Sequence, residues 1–258
     1  MNMSQYAQMI RQLKTPEVMK RLNTLYGQRE GMMVAQTTRY TALLKRHEDL
    51  FNTSGPVYMI SAPGRTEISG NHTDHNRGKV LTAAVNLDTV AAVSPRADGM
   101  VNVHSEGYPA ISISLDDLAA REDEKNTTAA LIRGVAYKLQ EEGYKIGGFD
   151  AAVTSTVRGG SGLSSSAAFE VMLCAIFDEL YNQGTLDYKH RAKISQFAEN
   201  VYFGKPSGLL DQLTSAVGGI IFADFADPRA PKIEKLHADG LLPEGMFLCV
   251  TDTRGSHS

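Results

Sequence analysis

Arg158-Gly159-Gly160-Ser161-Gly162-Leu163-Ser164-Ser165-Ser166-Ala167-Ala168 joins a strand-like stretch, 149–156, to an apolar run of helical period, 168–180. Glycines followed by hydroxyls at a strand-to-helix junction describe a phosphate cradle. Glycine adopts positive φ and lets backbone approach an anion closely. The serines are expected to cap the helix, whose free N–H groups and dipole favour negative charge. The alternative is an ordinary Gly-Ser turn with a good cap. Three glycines in four positions followed by three serines exceed what a cap requires. No Gly-Lys-Ser/Thr follows, so this is not a P-loop, and the Gly-x-Gly-x-x-Gly spacing of dinucleotide folds fails.

Working outward, 258 residues suffice for one large domain or two small ones. Charge is nearly balanced, with 26 Lys and Arg against 29 Asp and Glu, and no basic run suggests nucleic acid. No apolar stretch reaches membrane-spanning length, and residues 1–14 lack the hydrophobic core of a signal peptide. A soluble, cytoplasmic protein is expected, with no membrane partner. Cys174 and Cys249 fall in apolar segments and are expected to be buried free thiols.

There is no internal repeat. Polar helices are predicted at 4–13, 17–26 and 36–51. After Gly55-Pro56 come short β-rich runs at 57–62, 80–84, 89–95, 101–104 and 111–115. Helices are predicted at 127–142, 188–203 and 209–217, and strands at 220–224 and 247–252. The last strand would need later neighbours, so the end at Ser258 reads as premature.

Two further segments carry chemistry. Residues 62–76, Ala-Pro-Gly-Arg-Thr-Glu-Ile-Ser-Gly-Asn-His-Thr-Asp-His-Asn, are read as a polar loop between strands, suited to a polyhydroxylated ligand. A metal site at His72, Asp74 and His75 is a rival reading, and a turn held by Asx and Thr hydrogen bonds is another. In Lys205-Pro206-Ser207-Gly208-Leu209-Leu210-Asp211-Gln212 the aspartate falls in a first helical turn. It either stabilises the helix dipole or orients a substrate hydroxyl. Glu199, on the preceding helix, either reaches a Mg²⁺ ion or is an ordinary surface glutamate.

In this order the three segments resemble the signatures of the GHMP kinase superfamily, and within it the galactokinases. The first matches through Gly64-Arg65 and Gly70 to Asn76, the second through Gly160 to Ala168, and the third through Gly208 to Gln212. Arg39-Tyr40 through Leu50-Phe51 is similar to the helix that opens galactokinases. The resemblance implies an α/β two-domain kinase: a mixed-sheet N-terminal domain with helices, and an incomplete C-terminal domain. It divides the chain into a helical extension (1–38), an ATP- and sugar-binding domain (39–218) and the start of a second domain (219–258).

The resemblance further implies ATP and Mg²⁺ as cofactors and a small sugar, galactose, as substrate, phosphorylated to α-D-galactose 1-phosphate. Asp211 would be the general base or orienting carboxylate, and Arg65 would stabilise the transferring phosphoryl group. Gly160, Ser161, Gly162, Leu163, Ser164, Ser165 and Ser166 would bind ATP phosphates, with Ser166 and Glu199 as Mg²⁺ ligands. Asn71, His72, Thr73, Asp74 and Gly208 would hold the sugar. The chain departs from the family in three ways. Galactokinases usually carry glutamate where Asn71 stands, and proline where Arg158 stands. The family's third, glycine-rich motif has no counterpart here, so the 258 residues alone are expected to show little activity. A kinase for a related sugar, a non-catalytic sugar sensor and an inactive fragment are the competing functions.

Overall fold

The computed structural model describes residues 4–236, 248, 249 and 251. Seven strands form one mixed sheet: β1 (Tyr58–Ser69), β2 (Lys79–Pro95), β3 (Met100–Ser105), β4 (Ile111–Ser114), β5 (Phe149–Ser155), β6 (Ile220–Asp224) and β7 (Lys232–Leu236). Their order is β4-β3-β5-β2-β6-β7, and β1 lies along the remaining edge of β2. β3 and β5 run parallel, while the other described pairs are antiparallel.

β2 organises the sheet. One edge pairs with β1 from Tyr58↔Val93 to Ser69↔Leu81. The other edge is divided, with residues 89–95 on β5 and 79–83 on β6. At the division Val85-Asn86-Leu87 stand opposite Gly64 alone, a wide bulge that lets the sheet fork. The sequence suggested two strands here, 80–84 and 89–95. They are one, because pairing with β1 carries through the bulge.

The helices are α1 (Gln5–Gln12), α2 (Pro16–Tyr26), α3 (Met32–Phe51), α4 (Thr128–Glu141), α5 (Ser165–Tyr181), α6 (Tyr188–Phe197) and α7 (Leu210–Val217). Their ends follow local chemistry. Pro16 opens α2 with its φ already helical. Thr127 caps α4 by accepting Ala130 N–H, and Asp187 caps α6 by accepting Lys189 and His190 N–H. α6 widens into a π-helical turn, Ala198–Phe203, which Gly204 ends at φ 85°.

Both faces of the sheet are covered. Alternation along β2 sends Val90 and Ala92 toward α1–α3, where they pack with Tyr6, Leu22 and Leu44. Ala91 and Val93 face the opposite layer of α4, α5 and α6, with Phe149, Phe177 and Leu139. Phe149 and Phe177 meet edge-to-face at 5.2 Å.

Several expectations change. Residues 63–69 are strand rather than loop, because Arg65, Thr66 and Glu67 pair with Ala84, Ala83 and Thr82 and tertiary partners satisfy the polar side chains. Cys174 is buried in α5, but Cys249 is exposed, so only the first matches the expectation of a buried thiol. The boundary drawn at 38/39 falls inside α3, and β6 and β7 hydrogen-bond to the same sheet as β1–β5. The strand expected at 247–252 lies outside the described residues. Among those described, no helix is long and apolar enough to cross a membrane.

Candidate functional site

The three signature segments converge at the fork in the sheet. The bulge frees Arg65 N–H on β1, which donates to Leu163 O at 3.1 Å and ties the serine loop to the strand. The Arg65 side chain is buried, and all three of its nitrogens donate. Its Nε donates to Asp211 Oδ1 at 2.6 Å and one terminal nitrogen to Asp211 Oδ2 at 2.8 Å. The other terminal nitrogen donates to Gly162 O at 2.7 Å. A planar fork on a carboxylate is the strong bidentate pairing that lysine cannot reproduce. One arginine therefore fixes β1, the serine loop and the start of α7 relative to each other.

The loop turns on left-handed backbone. Gly160 and Gly162 hold φ of 74° and 73°, and Ser164 holds 58°. Ser164 stands at the N-cap of α5, yet its hydroxyl makes no capping bond. It donates instead to Asp211 Oδ2. This corrects the expectation that the serines cap the helix. Ser161 turns its hydroxyl back to Arg158 O at 2.6 Å. With no side-chain cap, the first-turn N–H groups of α5 remain open to an anion.

Ser166 and Glu199 meet: the hydroxyl donates to Glu199 Oε1 at 3.0 Å. Glu199 is not the surface residue of the alternative reading. It is 3% exposed in the π-helical turn. Its other oxygen accepts from Ser207 Oγ at 2.7 Å and Gln212 Nε2 at 2.6 Å. A hydroxyl and a carboxylate are hard oxygen donors that suit Mg²⁺. Behind them lies Glu170, fully buried on α5 and bonded through Oε2 to Gln212 Nε2 at 3.1 Å. Burial, and then the charge of Glu199, push Glu170 well above the ordinary carboxylate range. Glu170 Oε1 and Gln212 Oε1 have no hydrogen-bond partner.

The 70–76 segment closes the opposite side. Asp74 is buried and accepts Leu210 N–H at 3.2 Å, which docks the segment onto the first residue of α7. Gly208 is required there, since a Cβ would stand 1.8 Å from Asp74 Oδ2. Thr73 turns its hydroxyl to Gly70 O at 2.8 Å. Asn71 is exposed with φ 57°, and His72 follows at φ 52°. His72 Nε2 lies 3.4 Å from a terminal nitrogen of Arg65. Asp74 and His72 thus have separate partners, and among the described residues no group of three or more His, Cys, Asp or Glu could hold a metal. Beside the serine loop opens a cleft of about 300 Å³, walled by Ser105, Tyr108, Asn126, Phe169 and Phe203. That is a volume suited to a small ligand.

The structure brings Arg65 to Asp211 and Ser166 to Glu199, four residues that the sequence singled out by type and order. Sequence reading missed the Ser164–Asp211 contact and the Glu170–Gln212–Glu199 chain, since single polar residues on apolar helices carry no motif. A lone glutamate at 170 inside the apolar run 168–180, one turn beyond Ser166, was the available signal.

Residues 45–95 match the galactokinase galactose-binding signature, and residues 130–219 match the GHMP kinases N terminal domain. The galactokinase of Streptomyces coelicolor is 40% identical over 216 residues, covering 83% of this chain and 54% of that protein. The galactokinase of Bacillus subtilis is 35% identical over 173 residues, covering 66% and 44%. The chain thus spans about half the length of these curated relatives. The Lactococcus lactis galactokinase complexed with galactose matches with a TM-score of 0.70 at 27% identity, over 77% of this chain and 52% of that one. The Methanococcus jannaschii mevalonate kinase matches in fold alone, with a TM-score of 0.59 at 15% identity over 72% and 57% of the two chains.

Proposed function

We propose that this chain, which belongs to the GHMP kinase superfamily and carries the galactokinase signature, is the ATP- and sugar-binding part of a kinase that phosphorylates the anomeric hydroxyl of galactose. One observation carries the proposal. Arg65 joins the phosphate loop at Gly162 O to the acceptor-side carboxylate at Asp211, with hydrogen bonds of 2.6–2.8 Å. Phosphoryl transfer asks for donor and acceptor to be held in line and for charge to be neutralised, more than for covalent help from the protein.

In this reading Asp211 orients the anomeric hydroxyl and takes its proton, and Arg65 faces the charge of the phosphoryl group in flight. The N–H groups at 160–166 hold the phosphates, and the cleft lined by Tyr108, Asn126 and Phe203 takes the rest of the nucleotide. Ser166 and Glu199 would hold Mg²⁺, which supplies charge neutralisation on the phosphate oxygens. His72, Asp74 and the Gly208 backbone face the sugar. Thr73 contributes by shaping the turn, because its hydroxyl is already engaged at Gly70. The cytoplasmic location and the small-molecule sugar substrate belong to the same proposal.

Asn71, in place of the family's usual glutamate, favours a second reading in which a related sugar is the preferred substrate. The test is an ADP-release assay on the full-length protein with galactose, galactosamine, arabinose and glucose, with the product identified by NMR. Galactose 1-phosphate as the dominant product supports the first reading, and preference for another sugar supports the second. Nucleotide binding without turnover of any sugar would contradict both.

A further inference from the structure

Gln212 makes the shortest of the three hydrogen bonds on the Glu199 carboxylate. It follows Asp211 in the first turn of α7 and is fully buried, whereas the Asp211 side chain is 27% exposed. Successive helical residues point about 100° apart. Asp211 therefore meets Arg65 and Ser164, while Gln212 turns inward to α5 and the π-helical turn. Its Nε2 donates to Glu199 Oε2 at 2.6 Å and to Glu170 Oε2 at 3.1 Å. One amide nitrogen carries two hydrogens, and here each has a carboxylate of its own. The opposite orientation of the amide would set its oxygen against Glu199 Oε2, so the surroundings admit only this one.

The arrangement divides the Glu199 carboxylate. Oε2 is taken by the protein, through Gln212 and Ser207. Oε1 stands beside Ser166 Oγ at 3.0 Å, with the ammonium of the largely exposed Lys205 3.8 Å away. Gln212 itself leaves its amide oxygen buried and without a partner. An apolar side chain would avoid that cost, so the position is occupied by glutamine for what its nitrogen does. We propose that Gln212 is a positioning residue of the metal site, holding Glu199 by Oε2 so that Oε1 is presented beside Ser166 to Mg²⁺. The proposal rests on the kinase reading and deepens it. It also ties the two halves of the reaction together, because adjacent residues of α7 set the acceptor-side carboxylate and the metal-side carboxylate. Outer partners of this kind orient the groups that touch a metal.

The test uses the full-length protein and reads binding rather than turnover. Affinity for a non-hydrolysable ATP analogue is titrated with and without Mg²⁺, and the ratio of the two measures what the metal contributes. Gln212→Met keeps the length of the side chain and removes both donors. It is expected to lose roughly tenfold to a hundredfold of the tightening by Mg²⁺, the range for outer partners of a metal site. Affinity for the metal-free analogue, and for galactose without nucleotide, should hold. The double variant Glu170→Met with Gln212→Met removes the second buried carboxylate as well, and an apolar pair of similar volume is tolerated in a core. It should keep the Mg²⁺ defect, because Glu199 still lacks its donor. Undiminished tightening by Mg²⁺ in Gln212→Met would overturn the proposal. So would its full return in the double variant, which would reduce Gln212 to a spacer between two carboxylates. Equal losses for metal-free analogue, MgATP analogue and galactose, the mark of a folding role, would overturn it too. Glu199→Gln is the control: undiminished tightening there would break the metal reading itself, and the positioning role with it.

Discussion

The two faces of the sheet both bury charge, and they treat it differently. On the α1–α3 side Asp88 is 3% exposed and its carboxylate is fully partnered. It accepts Tyr26 OH and Ser61 Oγ, each at 2.5 Å, and Arg39 at 2.6 Å. Arg39 also donates to Asp88 O at 3.0 Å, and Tyr40 OH lies 2.7 Å from Tyr26 OH, while Arg39 Nε is left without a partner. Burial drives the Tyr40 hydroxyl up to about 12. On the α5–α7 side Asp211 stays 27% open to water, and Glu170 and Gln212 each leave an oxygen without a partner. A carboxylate shut away with both oxygens engaged fixes structure, and one still open to water can meet a ligand. The helix that opens at Met32 and carries Arg39-Tyr40 therefore serves to clamp the sheet, while the proposed site lies on the other face.

Substitutions at the two aspartates sharpen the contrast most. Asp211→Asn in the full-length protein should lower turnover by about 10²–10⁴-fold, the range for a positioned acid–base group. MgATP affinity from equilibrium titration should hold. If more than about a tenth of the rate survived, the assignment of Asp211 would fail. Asp88→Ala should act on folding instead. It leaves the largely covered Arg39 without its counter-charge, a loss of about 3–5 kcal/mol in denaturant unfolding, with kcat/KM per folded molecule preserved. A stability loss under about 1 kcal/mol, the range of a surface pair, would show that the clamp is not structural.

Ser166→Ala is expected to have a smaller effect, roughly a tenfold rise in the Mg²⁺ needed for half-maximal rate, by loss of one hydroxyl contact of about 1.4 kcal/mol. Sugar binding without nucleotide should not move. Equal weakening of both would point to damage of α5. His47 gives the smallest effect. It is fully buried between Tyr6 OH and Asp150 O, and burial lowers its pKa below the usual histidine value. The unfolded chain therefore binds the proton more readily, and stability falls as pH drops below about 6.5. The slope is at most about 1.4 kcal/mol per pH unit, and His47→Gln should flatten it. A slope unchanged in His47→Gln would remove His47 from the account.

Much of this was legible in the sequence, for identifiable reasons. α4, β5 and β6 lie where apolar periodicity and caps place them, within a residue or two of expectation. β7 escaped notice because Lys232, Glu234 and Lys235 break its apolar pattern. Charges of that kind also suit a strand beside no further described partner. The strand character of 63–69 was hidden by its polar residues, whose partners, Asp211 and His72, come from elsewhere in the chain. Arg65 and Asp211 were legible as motif members, but their bidentate contact across 146 positions was not. No local signal reports which distant side chain completes a pair.

The central claim is that the open backbone of the serine loop, and not the closed face, receives the nucleotide. Residue-resolved amide hydrogen exchange on the full-length protein, with and without Mg²⁺ and a non-hydrolysable ATP analogue, tests it most directly. Exchange should slow at residues 160–167, with no change across α1–α3. Undiminished exchange at 160–167 in the nucleotide-saturated protein, or protection centred on α1–α3, would contradict the account.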